Sequence, residues 1–323
     1  MLRSLVALGG IALAILLIWL SFRRVDFASV FAAFDELNIG ALIFGAVIYA
    51  LSVVMRGLRW RLLLERAGAT SHRSAVESML VGFATNFALP GRLGEVYRAD
   101  YLKGVTQISR TTVLGTIVVE RALDGLILAA MLALATAATG AGGGAGLPPT
   151  LLATACLLFG GAGVAALLLR RAARIPLPLI GALFERFKVG LNAIDRRNAL
   201  SFLVYGAGVW TLELAALASL LSAFGLHPNL IAVMLVLSAS SLSTLLPTAP
   251  AFVGSYQFAY VLAFTALDWP KPLALAASIA VQLAFFLPVM LIGFGLGLRA
   301  YGLAFFRGGP RAKWARNAAS ANG

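Results

Sequence analysis

Two apolar stretches of this chain are each broken part-way by proline and glycine. The first reads MLVGFATNFALPGRLGEVYRADYL from Met79, the second MLVLSASSLSTLLPTAPAFVGSYQFAYVL from Met234. Each runs into Leu-Pro (Leu89-Pro90, Leu246-Pro247), passes a short piece containing glycine, and resumes with helical spacing. In hydrocarbon a break of this kind frees backbone groups that lipid cannot satisfy, so it survives only when buried in protein or lining a cavity. Two such breaks in corresponding halves of a chain point to a transport site.

The argument requires a membrane protein, and composition supplies one. Hydrophobic residues make up 60% and charged residues 12% of the chain, with mean hydropathy +0.91. Soluble domains run nearer roughly 45–50% apolar and about 25% charged. The 26 Lys and Arg exceed the 13 Asp and Glu, but they lie in short blocks beside apolar spans, which is a membrane topology signal. Nucleic acid is therefore not an expected partner. The one cysteine, Cys156, excludes a disulfide framework and a cysteine-based metal site.

Six full spans are predicted: Leu5–Phe22, Ile39–Met55, Thr111–Ala137, Thr150–Leu169, Leu200–Ser222 and Leu273–Leu298, each near the roughly 20 residues that cross a bilayer. The first lacks an A-x-A-type cleavage site, so an uncleaved span is expected. The positive-inside rule puts the blocks around Arg56–Arg73, Arg170–Arg197 and Arg307–Arg316 in the cytoplasm, outvoting Arg23 and Arg24. Both termini are then cytoplasmic and the protein is multi-pass in the inner (cytoplasmic) membrane. Each broken stretch enters and leaves on one side, the first from the cytoplasm and the second from outside, as opposed re-entrant hairpins.

The fold class expected is thus an all-α polytopic membrane protein, one integral membrane domain over residues 1–306 with a basic disordered cytoplasmic tail over 307–323. Residues 5–137 and 150–298 read as two copies of one unit in inverted orientation, as in many secondary transporters. Two ordinary helices kinked by proline are the competing reading. Between the units, Leu179, Leu183, Phe184, Phe187, Leu191 and Ile194 fall on one helical face, opposite Glu185, Arg186, Lys188, Asp195 and Arg196. That pattern suits a helix in the cytoplasmic interface.

Charges at membrane depth are the candidate chemistry, since each costs about 2.5–3.5 kcal/mol or more at the midplane. Glu120, Arg121 and Asp124 lie in the third span. Arg121 and Asp124 have the spacing to pair, whereas Glu120 and Asp124 repel unless another cation intervenes. Arg92 and Arg98 of the first hairpin could be that cation, beside Glu95. The network either fixes packing or lines a polar cavity in which arginine meets an anionic headgroup; the planar guanidinium suits phosphate. Half-helices beginning after Gly94 and Gly254 would present free N–H groups to the break, with Ser255 a candidate N-cap and Glu95 a first-turn acid. Asn86, Ser243, Thr244 and Thr248 add polar groups, although membrane hydroxyls commonly bond back to their own helix. Pro90, Gly94, Pro247, Pro250, Gly254 and Ser255 are the hairpin or gate positions. Glu213, deep in the fifth span, is either a protonated structural donor or a proton-coupling group.

At these residues the chain resembles a known family. RGLRWRLLLERAG, then NFALPGRLGEVYRADYL, VVERALDGL and LPTAPAFVGSYQ look like the lysylphosphatidylglycerol synthase transmembrane-region family, also called flippase-like or UPF0104 membrane proteins. The most specific parts are Asn86, Pro90, Arg92, Gly94, Glu95 and Arg98, with Glu120, Arg121 and Asp124. The second hairpin departs from the family's PGGLG or PGxxG form, with Ala251 where glycine is usual.

The resemblance implies translocation of a lipid: a phospholipid, a hopanoid or a polyprenyl-linked species, with a separate lipid-synthesising enzyme as a possible partner. The sequence ends at Gly323 without the synthase domain of two-domain relatives, so aminoacylation is not expected. Substrate binding is expected at Asn86, Arg92, Glu95, Arg98, Glu120, Arg121 and Asp124. There is no Walker loop, HExxH, GxSxG or paired-aspartate motif, so no cofactor and no catalytic residue is expected. A membrane-embedded enzyme or accessory subunit of lipid or lipid-linked glycan metabolism is the alternative, and a scaffold the third.

Overall fold

A computed structural model describes residues 2–23, 25–89, 93–141, 178–194, 198–244 and 250–302. The predicted span Thr150–Leu169, the tail 307–323, and Pro90, Arg92 and Pro247 lie outside the described residues. Within them every element is helical: α1 Leu2–Phe22, α2 Phe27–Asp35, α3 Ile39–Leu64, α4 His72–Ala88, α5 Gly94–Val105, α6 Arg110–Ala141, α7 Pro178–Leu191, α8 Ala199–Ala223, α9 Leu230–Ser243, α10 Ser255–Ala266, α11 Lys271–Val281 and α12 Leu287–Tyr301. A 3₁₀ turn, Pro250–Phe252, precedes α10, and a π-helical turn, Gln282–Phe286, joins α11 to α12.

Local chemistry sets these boundaries. Asp26 caps α2 by accepting from the Ala28 and Ser29 amides, Ser71 caps α4 through Ser74, and Asn229 caps α9 through Ala232. Such caps satisfy amides that have no partner within the helix. Pro288 explains the π turn. It has no N–H for the Ala284 carbonyl and its ring crowds that group, so the helix widens and Leu287 N–H bonds Gln282 O instead.

Three described helical segments are long and apolar enough to cross a membrane: Ile39–Leu64, Ala199–Ala223 and Lys271–Tyr301. Their outward residues, such as Ile39, Ile43, Phe44 and Val47 on α3, are large and apolar. The chain is a multi-pass membrane protein. Helices α1, α3, α6, α8 and α11–α12 occupy the stretches where the first, second, third, fifth and sixth spans are expected, with α3 running nine residues further; of these, α3, α8 and α11–α12 are the three that meet the length and hydropathy of a crossing. The short helix α2 has no counterpart in the sequence reading.

The fold comprises two compact units, 1–52 with 124–161 and 210–288, and 53–123 with 162–209 and 289–323. The core of the first packs Leu220, Leu235, Val236, Tyr260, Phe264 and Leu275 from α8 to α11. The core of the second packs Trp60, Leu63, Met79, Leu102, Val113 and Phe202. Here the amphipathic connector appears as α7, and its apolar face is docked: Leu191 and Phe187 pack with Val119 of α6, while Arg186 and Val189 stay exposed. Two glycines let the backbones touch. A Cβ on Gly190 would lie 2.3 Å from the Thr112 carbonyl oxygen, and one on Gly115 would lie 2.4 Å from that of Phe187. Small residues at such crossings are a common device of membrane helices. Asp195 and Arg196 of the connector lie outside the described residues.

Each broken stretch is a helix–turn–helix. In the first, Glu77 meets Tyr101, Ser78 meets Arg98, and Asn86 meets Gly94. Residue numbers rise on α4 as they fall on α5, so the two run antiparallel. The second is α9, the turn through Pro250–Gly254, and α10.

Candidate functional site

Of the charges predicted at membrane depth, Glu95, Arg98, Glu120 and Arg121 converge in the second unit, and the order of burial separates them into two groups. Innermost is a carboxylate between two guanidinium groups. Glu120 Oε2 lies 2.8 Å from Arg98 Nη2 and its Oε1 lies 3.6 Å from Arg59 Nη2, with every side chain at most 3% exposed. Aromatic faces complete the shell. The Arg98 guanidinium carbon sits 3.6 Å from the centre of the Trp60 ring, and that of Arg59 sits 5.3 Å from Phe202. The Trp60 indole donates to Thr116 Oγ1 at 3.1 Å, and Ser78 Oγ donates to the Arg98 carbonyl at 2.7 Å. Glu120 thus bridges two arginines from different helices. Among the described residues, Arg98 Nε and Nη1 are buried without a hydrogen-bond acceptor.

Nearer the surface is a looser pair. Arg121 Nε lies 3.8 Å from Glu95 Oε1, with the side chains 34% and 23% exposed. Arg121 follows Glu120 directly on α6, so one helical turn presents an acid inward and a cation outward. Glu95 lies in the first turn of α5, where the helix dipole favours an acid. The spacing of Arg121 and Asp124 allowed a pair within α6, but the ion-pair partner that Arg121 meets is on α5. Asp124 is buried and falls in the first unit.

The turn that carries Glu95 is tied from behind. Asn86 Oδ1 accepts the Gly94 amide at 2.7 Å, and the Val96 and Tyr97 amides both donate to the Leu93 carbonyl. The amides expected to point free into this break are largely consumed by the protein itself. The dipole of α5 remains to act on a ligand.

The remaining candidates lie in the first unit. Pro250 opens the 3₁₀ turn, and Gly254 takes φ 91°, a value open to glycine. A Cβ there would also lie 2.7 Å from the Ala14 carbonyl oxygen of α1. Ser255 is not an N-cap. It is the first residue of α10, with Gly254 at the cap position, and its hydroxyl donates back to the Phe252 carbonyl at 3.1 Å. The left-handed backbone one residue earlier forces this register. Ala251, where the resemblance leads one to expect glycine, takes φ 58°, the region glycine favours. Ser243 and Thr244 bond back to the Ser240 and Ser241 carbonyls. Glu213 is half-buried on α8.

Sequence reasoning used Arg59 only as a topology charge and passed over Trp60 and Thr116. Helical phase carried the signal. Arg56, Arg59, Trp60 and Leu63 share one face of α3 and are all buried, whereas Arg61 points away to Glu65. Among the described residues no three His, Cys, Asp or Glu side chains are grouped to hold a metal ion. The arrangement offers arginine–carboxylate electrostatics beside a broken helix.

Comparison with known proteins agrees with this picture. The glycosyltransferase AglD of Haloferax volcanii is 23% identical over 338 aligned positions, covering 91% of this chain and 54% of that protein. The chain thus spans about half the length of the curated relative it matches. No solved structure matches it. The family model described as the lysylphosphatidylglycerol synthase TM region matches residues 7–293, a range that includes both broken stretches and every charged residue of the site. This chain belongs to the lysylphosphatidylglycerol synthase transmembrane-region family.

Proposed function

We propose that the protein is a lipid translocator that moves an anionic or lipid-linked amphiphile between bilayer leaflets without nucleotide hydrolysis. One observation carries the reading: a part-exposed Arg121–Glu95 pair beside a buried Arg59–Glu120–Arg98 triad. Buried charge of this kind in a membrane protein marks a substrate or ion path more often than a packing device. Arg121 is the group that meets the headgroup, with Arg92 beside the same turn in sequence. Glu95 orients Arg121, and the Arg59–Glu120–Arg98 triad holds α3, α5 and α6 in register. Arg98, expected from sequence to touch substrate, serves here through the triad, because Trp60 and Glu120 enclose it.

In this reading the two helix–turn–helix pairs are re-entrant hairpins opening to opposite faces, within an inverted repeat of residues 5–137 and 150–298. Helix length supports it. The α5 and α10 helices of 12 residues and α9 of 14 residues extend about 18–21 Å, short of the roughly 30 Å hydrocarbon core. The basic blocks orient both termini to the cytoplasm, and Glu213 is the group placed to couple a proton.

Reconstitution with fluorescent anionic lipids tests the proposal. Wild-type protein should accelerate transbilayer movement of at least one lipid of a broad panel, and Arg121→Gln should abolish it while leaving a folded protein. No acceleration across the panel overturns the reading. The alignment of nearly the whole chain with half of a glycosyltransferase supports a second one: a membrane unit that accompanies or performs a step of lipid-linked glycan metabolism. A Mg²⁺ requirement with release of a chemically altered lipid would favour it.

A further inference from the structure

The turn between α9 and α10 carries more left-handed backbone than any other described segment. Ala251 and Phe252 both take φ 58° and Gly254 takes φ 91°. For residues with a Cβ this region is costly, and such backbone persists only where its surroundings enforce it. The surroundings here are two glutamine side chains. The Gly254 amide donates to Gln257 Oε1 at 2.8 Å. Gln257 Nε2 donates to Gln282 Oε1 at 2.7 Å, and Gln282 Nε2 donates to the Ala251 carbonyl at 2.9 Å. The bonds form one closed chain that leaves the turn at Gly254 and returns to it at Ala251. Each carboxamide gives one proton and accepts one, so neither can turn over without breaking two bonds.

Gln282 is also the first residue of the π-helical turn. A π turn inserts a residue into the helical repeat and re-aims the side chains on its face, and such turns are frequent at functional sites. The two broken stretches thus fix their glycine amides differently. Gly94 is held by Asn86 on the helix before it. Gly254 is held by Gln257 on the helix after it, which is itself anchored to another element.

We propose that Gln282 is the positioning residue of the second helix–turn–helix. Through Gln257 it holds the Pro250–Gly254 turn in its left-handed form, and the turn moves only when the Gln257–Gln282 bond opens. Because the bonds are in series, losing either glutamine releases the whole clasp. This inference rests on the translocator reading for its purpose, a gate at the second hairpin, but not for its structural content.

The test uses the full chain in proteoliposomes, with Cys156→Ser as background and Val253→Cys as reporter in the turn. The readout is the labelling rate by a water-soluble maleimide. Each leucine variant removes two of the three bonds, which corresponds to about a tenfold or larger change in the open population. Gln282→Leu and Gln257→Leu should each raise the rate about tenfold or more, and the double variant should match the singles rather than multiply them. Gln282→Glu, which keeps shape and loses the donor to Ala251, should show the same direction if the leucine variant fails to insert. Leu283→Ala, a lipid-facing neighbour, should leave the rate unchanged. Unchanged labelling in the glutamine variants, or multiplicative effects in the double, overturns the clasp. Lipid movement measured on the same vesicles separates the two ideas. A wild type that moves no lipid, with the labelling pattern intact, defeats the translocator reading and leaves the clasp standing.

Discussion

Replacing Glu120 with glutamine removes the one negative charge that lies between Arg59 and Arg98 and keeps the side-chain shape. The contacts are 2.8 Å and 3.6 Å. At an effective dielectric of about 20, unit charges at those separations attract by roughly 6 and roughly 5 kcal/mol. Desolvation of three buried ions offsets most of that gain. The measurable quantity is the cost of stranding the cations, which for a broken buried pair is about 3–5 kcal/mol. Two stranded arginines place this variant at the upper end, because glutamine can accept from one of them while its amide faces the other. With about 2.1 cal/mol/K of unfolding entropy per residue, a chain of 323 residues shifts by about 1.5 °C of Tm per kcal/mol, so Tm should fall by roughly 7 °C. Thermal unfolding in detergent micelles, followed by tryptophan fluorescence, measures it; Trp60 lies against Arg98 and should report the loss early. A Glu120→Gln protein melting within about 2 °C of wild type would refute the argument that the triad is ionised and holds the second unit together.

Arg121→Gln should behave in the opposite way. Its pair is 3.8 Å apart and part-exposed, so the stability loss should stay below about 1 kcal/mol while lipid movement falls to background. Equal losses of Tm in the Glu120 and Arg121 variants would show that Arg121 is structural as well. Asn86→Ala leaves the Gly94 amide without its acceptor and should cost about 1–2 kcal/mol, read as faster amide exchange at Gly94 than in wild type. The Asp26 carboxyl is held below its ordinary value of 3.8, mainly by the Ser29 hydroxyl and then by the Ala28 amide. Its capping contribution is therefore complete above the ordinary carboxylate range and lost as pH falls through the lowered value. Protection of the Ala28 and Ser29 amides should fade only in strong acid, and Asp26→Ala should lack that acid transition.

Much of the helical layout was legible because proline, glycine and hydropathy act locally. Pro90 and Gly94 mark the first break, and apolar length places α1, α3, α6, α8 and α11–α12 to within a few residues at most ends. The charged residues of the site were legible as exceptions, since Glu120 and Arg121 stand in an apolar helix. Their pairing was not. Arg121 and Asp124 had the spacing of a helical pair, but spacing on one helix carries no information about an acid on another, and Arg121 meets Glu95. Arg59 was hidden in a run of arginines whose number sets topology, while only its phase on α3 turns it inward. The π turn needed a tertiary reason as well. Pro288 forbids a regular helix there, but kink, break and π turn are all open to it until Gln282 finds its partners.

The contact between Gly115 and Gly190 has a consequence for how this chain tolerates change. Two bare backbones in contact fit together in one register, since a shift of α7 by one residue would bring Val189 or Leu191 to a place with no room for a side chain. Docking of α7 is therefore keyed by the crossing itself and not by the length of chain that leads to it. Insertions placed between residues 142 and 149, ahead of the predicted fourth span, should leave α7 seated, whereas Gly190→Ala, a change of one methyl group, should unseat it.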